Sequence, residues 1–168
     1  NRGETVGKVF LFADEFTNYM DVEIGIKMIE LLDWLGYEVI IPKHVESGRT
    51  SISKGMLKVA KGVARENVLL LKDLVTENIP LVGIEPSCIL SFRDEYPDLV
   101  GEDLKEEAVR LGKNCLLYDE FFTREIRAGR IQAEQFTDQP LKIMLHGHCH
   151  QKSLASVEPS KEMLSLPV

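Results

Sequence analysis

The sequence predicts an α/β fold, a Rossmann-like open and mainly parallel sheet with helices on both faces. Short apolar runs recur along the chain: "KVFLFADEF", "YEVIIP", "PLVGIE" and "LKIMLHG". Each is nearly continuous in its apolar part rather than alternating, the pattern of a parallel strand covered on both faces. The stretches between them carry apolar residues at helical spacing. Strand alternating with helix implies one sheet built through right-handed crossovers.

In chain order, "KVFLFADEF" is the first strand, with Asp14 and Glu15 at its C-terminal end. Ile24, Met28, Leu31, Leu32 and Leu35 then predict a helix that Gly36 stops. "YEVIIP" is the second strand, ended by Pro42, and "KHVESGRTSIS" a polar loop. A long helix follows, with Ser53 as N-cap and Met56, Val59, Ala60, Val63, Leu70, Leu71, Leu74 and Val75 as its buried stripe. "PLVGIE" is the third strand, and Pro86 suits the first turn of a helix. Helices are expected over 102–112 and 119–129, separated by "CLLY". "LKIMLHG" is expected as the last strand, leading into a half-begun helix.

The composition narrows the function. With 168 residues, 44% hydrophobic and 28% charged, the chain is the size of one domain, able to bury about two-thirds of its unfolded surface. A net charge of −7 leaves no basic stripe for phosphates, so neither nucleic acid nor an anionic membrane is an expected partner. No apolar run reaches the roughly 20 residues of a membrane span. The polar opening "NRGETVGK" lacks the apolar core of a signal peptide. Cys88, Cys115 and Cys149 lie far apart with no CxxC pair, which argues against a disulfide framework and for the cytoplasm. The ending "SVEPSKEMLSLPV", with no clear closing element, suggests a fragment.

Ligands of open α/β sheets gather outside the C-terminal strand ends. That edge should collect "ADEF", "HVESGR", "IEPSC" and "HGHCH". The last is rich in thiolate and imidazole, the ligands of zinc, iron and clusters. His148, Cys149 and His150 are consecutive, however, so on a strand they cannot all face one metal unless Gly147 breaks the backbone. One or two of them completing a site elsewhere and a structural strand end both remain open. Cys88, near a helix start, would have its thiol pKa lowered by the helix dipole if it is reactive or metal-binding; the alternative is a small buried hydrophobe. A nucleophile pair of Cys88 with His146 or His148 has no local signature behind it. "ESGRTSISKG" has the chemistry of an anion cradle but not the spacing of a phosphate loop. Cys115 reads as core, and Glu102 to Glu107 as a solvated helix start.

Taken together, "LFADEFTNY", "ESGRTSISKGML", "VGIEPSCILSFRDEYPDL" and "HGHCHQKSL" resemble the cysteine-rich CCG domain of FAD-linked, iron–sulfur oxidoreductases. Its relatives include the iron–sulfur subunits of glycolate oxidase and of anaerobic glycerol-3-phosphate dehydrogenase, and the B subunit of heterodisulfide reductase. The resemblance implies a duplicated domain, with residues 1–139 as the first half-domain and 140–168 as the start of a truncated second. Each half would present a cysteine after its first strand, Cys-Cys-Gly after its second and Cys-x-x-Cys after its third, together holding an iron–sulfur cluster or a metal. Here those positions fall on Glu15, on Glu46, Ser47 and Gly48, and on Glu85 and Cys88. Only Cys88 keeps a thiol, and carboxylates are poor substitutes for soft thiolates. The first half-site is therefore either a carboxylate pocket for a hard cation or a degenerate structural half.

Cys149 matches the opening cysteine of the second half. The resemblance implies Cys149 and Cys88 as cofactor ligands, with His148 and His146 as further metal-ligand candidates. It implies an electron-transfer domain of a cytoplasmic oxidoreductase acting on a small 2-hydroxy acid such as D-lactate, glycolate or 2-hydroxyglutarate. FAD and a 4Fe-4S cluster would belong to the parent protein, with flavin-binding and ferredoxin-type domains as partners. The chain alone is expected to be inactive and to hold no cluster. Two competing expectations are a non-catalytic docking domain that has lost its cluster, and a small zinc or thiol enzyme centred on His146, His148 and Cys149.

Overall fold

The computed structural model describes residues 5–137 and 139–167. The first four residues of the polar opening, Asp138 beside the expected half-domain boundary, and Val168 lie outside them. Among the described residues, four parallel strands form one sheet in the order β2-β1-β3-β4: β1 Gly7–Phe12, β2 Tyr37–Ile40, β3 Leu81–Gly83 and β4 Cys115–Leu117. The Rossmann-like open α/β fold is present.

Successive residues of a strand face opposite sides, and β1 divides the core accordingly. Phe10 and Phe12 join Leu81, Cys115 and Leu117 under α4 (Leu57–Leu71), α6 (Glu95–Leu99) and α7 (Lys105–Gly112). Val9, Leu11 and Val82 face α2 (Val22–Trp34) and α8 (Tyr118–Arg127), whose Met28, Leu32, Phe121 and Phe122 complete the second layer. Short helices fill the connections: α1 (Glu15–Tyr19), α3 (Arg49–Ser53) and α5 (Pro86–Ile89). Beyond α8 come α9 (Cys149–Leu154) and α10 (Glu158–Leu164).

Two glycines are required by contact. A Cβ on Gly83 would stand 2.4 Å from Ile89 Cβ, so the glycine lets α5 fold back onto β3. At Gly48, φ is +76°, the left-handed turn that starts α3 and that a β-carbon would strain.

Two expectations are corrected. The long helix expected to start at Ser53 starts later, as α4, and a short helix, α3, fills the end of the expected polar loop; Gly55 turns left-handed between the two (φ +71°). Ser53 ends α3, its Oγ accepting from Arg49 Nε at 3.3 Å. The expected strand "LKIMLHG" is not a strand. Among the described residues no backbone hydrogen bond ties 141–147 to the sheet. Leu141 is 70% and Met144 91% exposed. Leu141, Ile143 and Leu145, two apart, line a shallow groove with Leu164 of α10. An apolar run signals burial, but a strand exists only through a neighbour, and here none is offered.

Candidate functional site

The strand order reverses direction between β1 and β3, and the loops leaving those two strands meet at the C-terminal edge. Asp14 ends the first loop as the N-cap of α1. Its Oδ1 accepts from the N–H groups of Phe16 and Thr17 (both 2.9 Å) and its Oδ2 from Thr17 Oγ (2.8 Å). This fixes the neighbouring Glu15, whose two oxygens accept from Ser47 N–H (2.9 Å) and Ser47 Oγ (2.7 Å). Ser47 Oγ in turn accepts from Arg49 N–H (3.0 Å), and the Ser47 carbonyl accepts from Tyr96 Oη (2.8 Å). Asn67 donates to the same Tyr96 oxygen (2.9 Å) and to the Glu46 carbonyl (2.8 Å), so the loop after β2 is held by two buried side chains.

Glu85 caps α5, its Oε1 accepting from Ser87 N–H (3.2 Å) and Ser87 Oγ (2.7 Å). Cys88 is fully buried behind these groups. Burial pushes its thiol well above its ordinary pKa; a hydrogen bond to Ser47 works the other way, and the charges of Glu15, Asp14 and Glu85 add to the rise. Of the two readings left open for Cys88, this favours the small buried hydrophobe over a thiol activated by the helix dipole. The helix α5 is only four residues long, and burial among carboxylates outweighs it. Glu15, Ser47, Glu85 and Cys88 are therefore brought together, but Glu15 is already bonded to Ser47 and Glu85 to Ser87. Glu46 is exposed and contributes its backbone carbonyl.

The second cluster lies alongside, because α9 packs against α5. His148 is the N-cap of α9 (φ −63°, ψ 145°), and its Nδ1 accepts from His150 N–H at 3.2 Å. Cys149 is the first helical residue and is exposed. This break from extended to helical backbone removes the objection to three consecutive ligands. Cys149 Sγ lies 4.0 Å from His148 Nδ1 and 3.8 Å from His150 Nδ1. The ligand atoms of the three residues all lie within 4.8 Å of one another. On the far side, His148 Nε2 faces Glu85 Oε1 at 3.7 Å, and His150 Nε2 faces Arg49 Nη1 at 3.4 Å. Gly147 contributes close packing rather than a left-handed turn, since a Cβ there would meet Val157 Cγ1 at 2.4 Å.

Of the residues singled out in the sequence, His148 and Cys149 thus stand together, while His146 is exposed outside the cluster and Cys88 is sealed below it. The sequence did not single out His150 as a ligand, nor Arg49 and Glu95 as its neighbours. Arg49 pairs with Glu95 Oε1 and so is not a free anion cradle. A cysteine flanked by two histidines was the signal to follow; the turn at His148 that brings them together had none. Cys115 is core, as expected, its Sγ donating to the Leu111 carbonyl. A cavity of about 270 Å³ lies at the opposite end of the sheet, beside Tyr37 and Arg130.

No family model matches the chain, and no solved structure does. Among curated proteins it is similar to the D-2-hydroxyglutarate dehydrogenase of Haemophilus influenzae, 26% identical over 157 residues, 91% of this chain and 15% of that protein. It is similar to the C subunit of the anaerobic glycerol-3-phosphate dehydrogenase of Escherichia coli K12, 26% identical over 159 residues, 94% of this chain and 39% of that protein. Lactate utilization protein A of Bacillus subtilis is 28% identical over 159 residues, 92% of this chain and 63% of that protein. The chain spans less than two thirds of the length of each. Two of the three are named as dehydrogenases. No helix among the described residues is long and apolar enough to cross a membrane.

Proposed function

We propose that this chain is a CCG-type electron-transfer domain of a larger cytoplasmic FAD-dependent, iron–sulfur oxidoreductase that oxidises a small 2-hydroxy acid of the D-lactate, glycolate or 2-hydroxyglutarate type. The observation that carries this reading is the placement of Cys149. The one exposed cysteine among the described residues stands at the switch-point edge of the sheet, beside the loop of Cys88, in a chain similar to named dehydrogenases over most of its length.

The residues present do not fit a complete 4Fe-4S cluster. Such a cluster asks for four thiolates. Cys149 offers one, and the Cys88 thiol is held protonated by its burial. Glu15, Glu85 and Ser47 are committed to hydrogen bonds and are hard ligands for iron sulfide. Cys149 is accordingly read as one ligand of a centre whose other ligands lie outside this chain, and no electron-transfer step is derived through it. The first half-site is read as structural. The segment 140–168 is read as the beginning of a second half-domain, which gives the unpaired run 141–145 its missing neighbours. Flavin-binding and ferredoxin-type domains of the same protein or complex are the proposed partners.

The test is iron, sulfide and visible absorbance of a longer protein that contains these 168 residues and the flanking domains, purified without oxygen. Cys149→Ser is expected to lower the iron content and change the spectrum. A colourless, iron-free protein, or a spectrum indifferent to Cys149→Ser, favours instead a docking domain that has lost its cluster.

A further inference from the structure

We infer that His148, Cys149 and His150 form a three-ligand site for a single thiophilic divalent cation of the zinc class, and that Arg49 opposes its occupation. This inference uses side chains of this chain alone; zinc here and the centre proposed for the longer protein are alternative occupants of the one Cys149 thiolate.

The spacing is close to what such an ion needs. With zinc–sulfur and zinc–nitrogen bonds of about 2.3 and 2.0 Å at a tetrahedral angle, sulfur and nitrogen sit roughly 3.6 Å apart. The sulfur–nitrogen separations in the chain are 4.0 Å and 3.8 Å, so each needs to close by only a few tenths of an ångström, while the three ligand atoms as a set lie within 4.8 Å of one another and draw in on binding. The two imidazoles stack with their centroids 5.8 Å apart and their planes inclined by 27°, both turning Nδ1 toward Cys149 Sγ. Three protein ligands with an exposed thiolate leave one coordination position open to solvent, the pattern of a reactive rather than a closed structural zinc site.

The two histidines differ in readiness. His148 Nδ1 accepts a hydrogen bond, so its proton is on Nε2, which faces Glu85. That is the tautomer a metal on Nδ1 requires, with a carboxylate behind the ring to orient it, and the metal takes over the lone pair that now accepts from His150 N–H. His150 is in the opposite state. Its Nε2 faces the Arg49 guanidinium, which only donates, so Nε2 holds the lone pair and Nδ1 holds the proton. A metal on Nδ1 would move that proton to Nε2 and set N–H against N–H.

Occupation therefore requires Arg49 to leave His150, and an acceptor is in place for it. Glu95 Oε1 already pairs with Arg49, while Glu95 Oε2 is buried without a hydrogen-bond partner among the described residues. Arg49 turned toward both oxygens would form a bidentate fork. The contact with His150 and the metal thus compete for one imidazole.

The experiment is titration of the reduced, metal-free protein with zinc against a chromophoric chelator, repeated with cobalt(II) to read thiolate-to-metal charge-transfer and ligand-field absorption. One zinc per chain is expected, with cobalt bands of a four-coordinate site that includes sulfur. Cys149→Ser and His148→Ala should each weaken binding by at least about 100-fold, and Cys149→Ser should remove the charge-transfer band. His146→Ala should change affinity less than about twofold, since His146 lies outside the cluster. Arg49→Gln, which still donates to Glu95, should tighten binding by about tenfold, the worth of one modest hydrogen bond. Sub-stoichiometric zinc, affinity unchanged in Cys149→Ser, or loss of binding in His146→Ala would overturn the site. Weaker binding in Arg49→Gln would overturn the competition. Failure of the redox reading is recognised separately, by the iron and sulfide content of the longer protein.

Discussion

Two clusters of metal-ligand residue types share one edge of the sheet, and they are built in opposite ways. In the first, Glu15 is bonded to Ser47, Ser47 to Tyr96 and through it to Asn67, and Glu85 to Ser87, with Ser47 and Cys88 fully buried. In the second, His148, Cys149 and His150 are partly exposed, and among the described residues the polar contacts of Sγ are those to the two imidazoles at 3.8 and 4.0 Å. The difference teaches what happens when thiolate positions are given to carboxylate and serine. Oxygen groups facing each other at hydrogen-bond distance satisfy one another, and the pocket closes. A thiol flanked by imidazoles cannot close in that way, because sulfur is a weak partner for either nitrogen.

If the first cluster is structural, breaking it should cost stability. Glu15→Ala is expected to have the largest effect, because it leaves both the N–H and the hydroxyl of fully buried Ser47 without their acceptor. At roughly 1–3 kcal/mol for each buried group left unsatisfied, urea denaturation should show a loss of about 2–5 kcal/mol. A loss under about 0.5 kcal/mol would mean that the carboxylate is held there for a ligand and not for Ser47. Tyr96→Phe comes next. It deletes the hydroxyl between the Ser47 carbonyl and Asn67 while keeping the ring against Phe92, and should cost about 1–2 kcal/mol. No change in Tyr96→Phe would show that Glu15 and Asn67 position the loop after β2 without the tyrosine hydroxyl.

The sheet and its layers were legible from the sequence because continuous apolar runs and helical stripes are local signals of global burial. "KVFLFADEF" and "PLVGIE" became adjacent central strands, and Pro86 did open a helix. The failures share a cause. "LKIMLHG" has the apolarity of a strand, but pairing depends on another segment, and apolarity alone cannot supply one. The short helix before Gly55 was hidden because "RTSIS" carries a single apolar residue and so no helical stripe. At the site, the positions of Glu15, Ser47, Glu85 and Cys88 were legible through resemblance, whereas the burial that raises the Cys88 thiol was not. Arg49, Glu95 and His150 meet across separations of 46 and 101 residues, which no spacing rule reports.

A polar cluster at the other end of the sheet sharpens the contrast between closed and open. Glu125 is nearly inaccessible, and its two oxygens accept from Tyr37 Oη (2.6 Å), Arg124 Nε (2.9 Å) and both Nε (2.5 Å) and Nη2 (2.9 Å) of Arg130. Burial works to raise its pKa, but the bonds from Arg130, Tyr37 and Arg124 together leave the carboxyl below its ordinary value of 4.5. A carboxylate lowered in the folded state contributes stability that is full above the unfolded pKa and is lost as pH falls through the folded one. Unfolding free energy measured in urea should therefore drop below about pH 4.5, and Glu125→Gln should flatten that part of the profile. An unchanged profile in Glu125→Gln would assign the acid sensitivity to other carboxylates.

The smallest stability effect is expected at Cys149, and its contrast with Cys88 is chemical. Cys149→Ser changes an exposed side chain and should alter unfolding free energy by less than about 0.5 kcal/mol. Its thiol should react quickly with a disulfide reagent such as DTNB in the native protein, because the side chain is open to the reagent. Cys88 and Cys115 are fully buried with their thiols pushed well up, so they should react only at the rate of unfolding. The native titration should thus give one fast thiol, abolished by Cys149→Ser, and two more in denaturant. Two fast thiols in the native state would mean that the first cluster opens to solvent, and that its carboxylates are then available to a ligand after all.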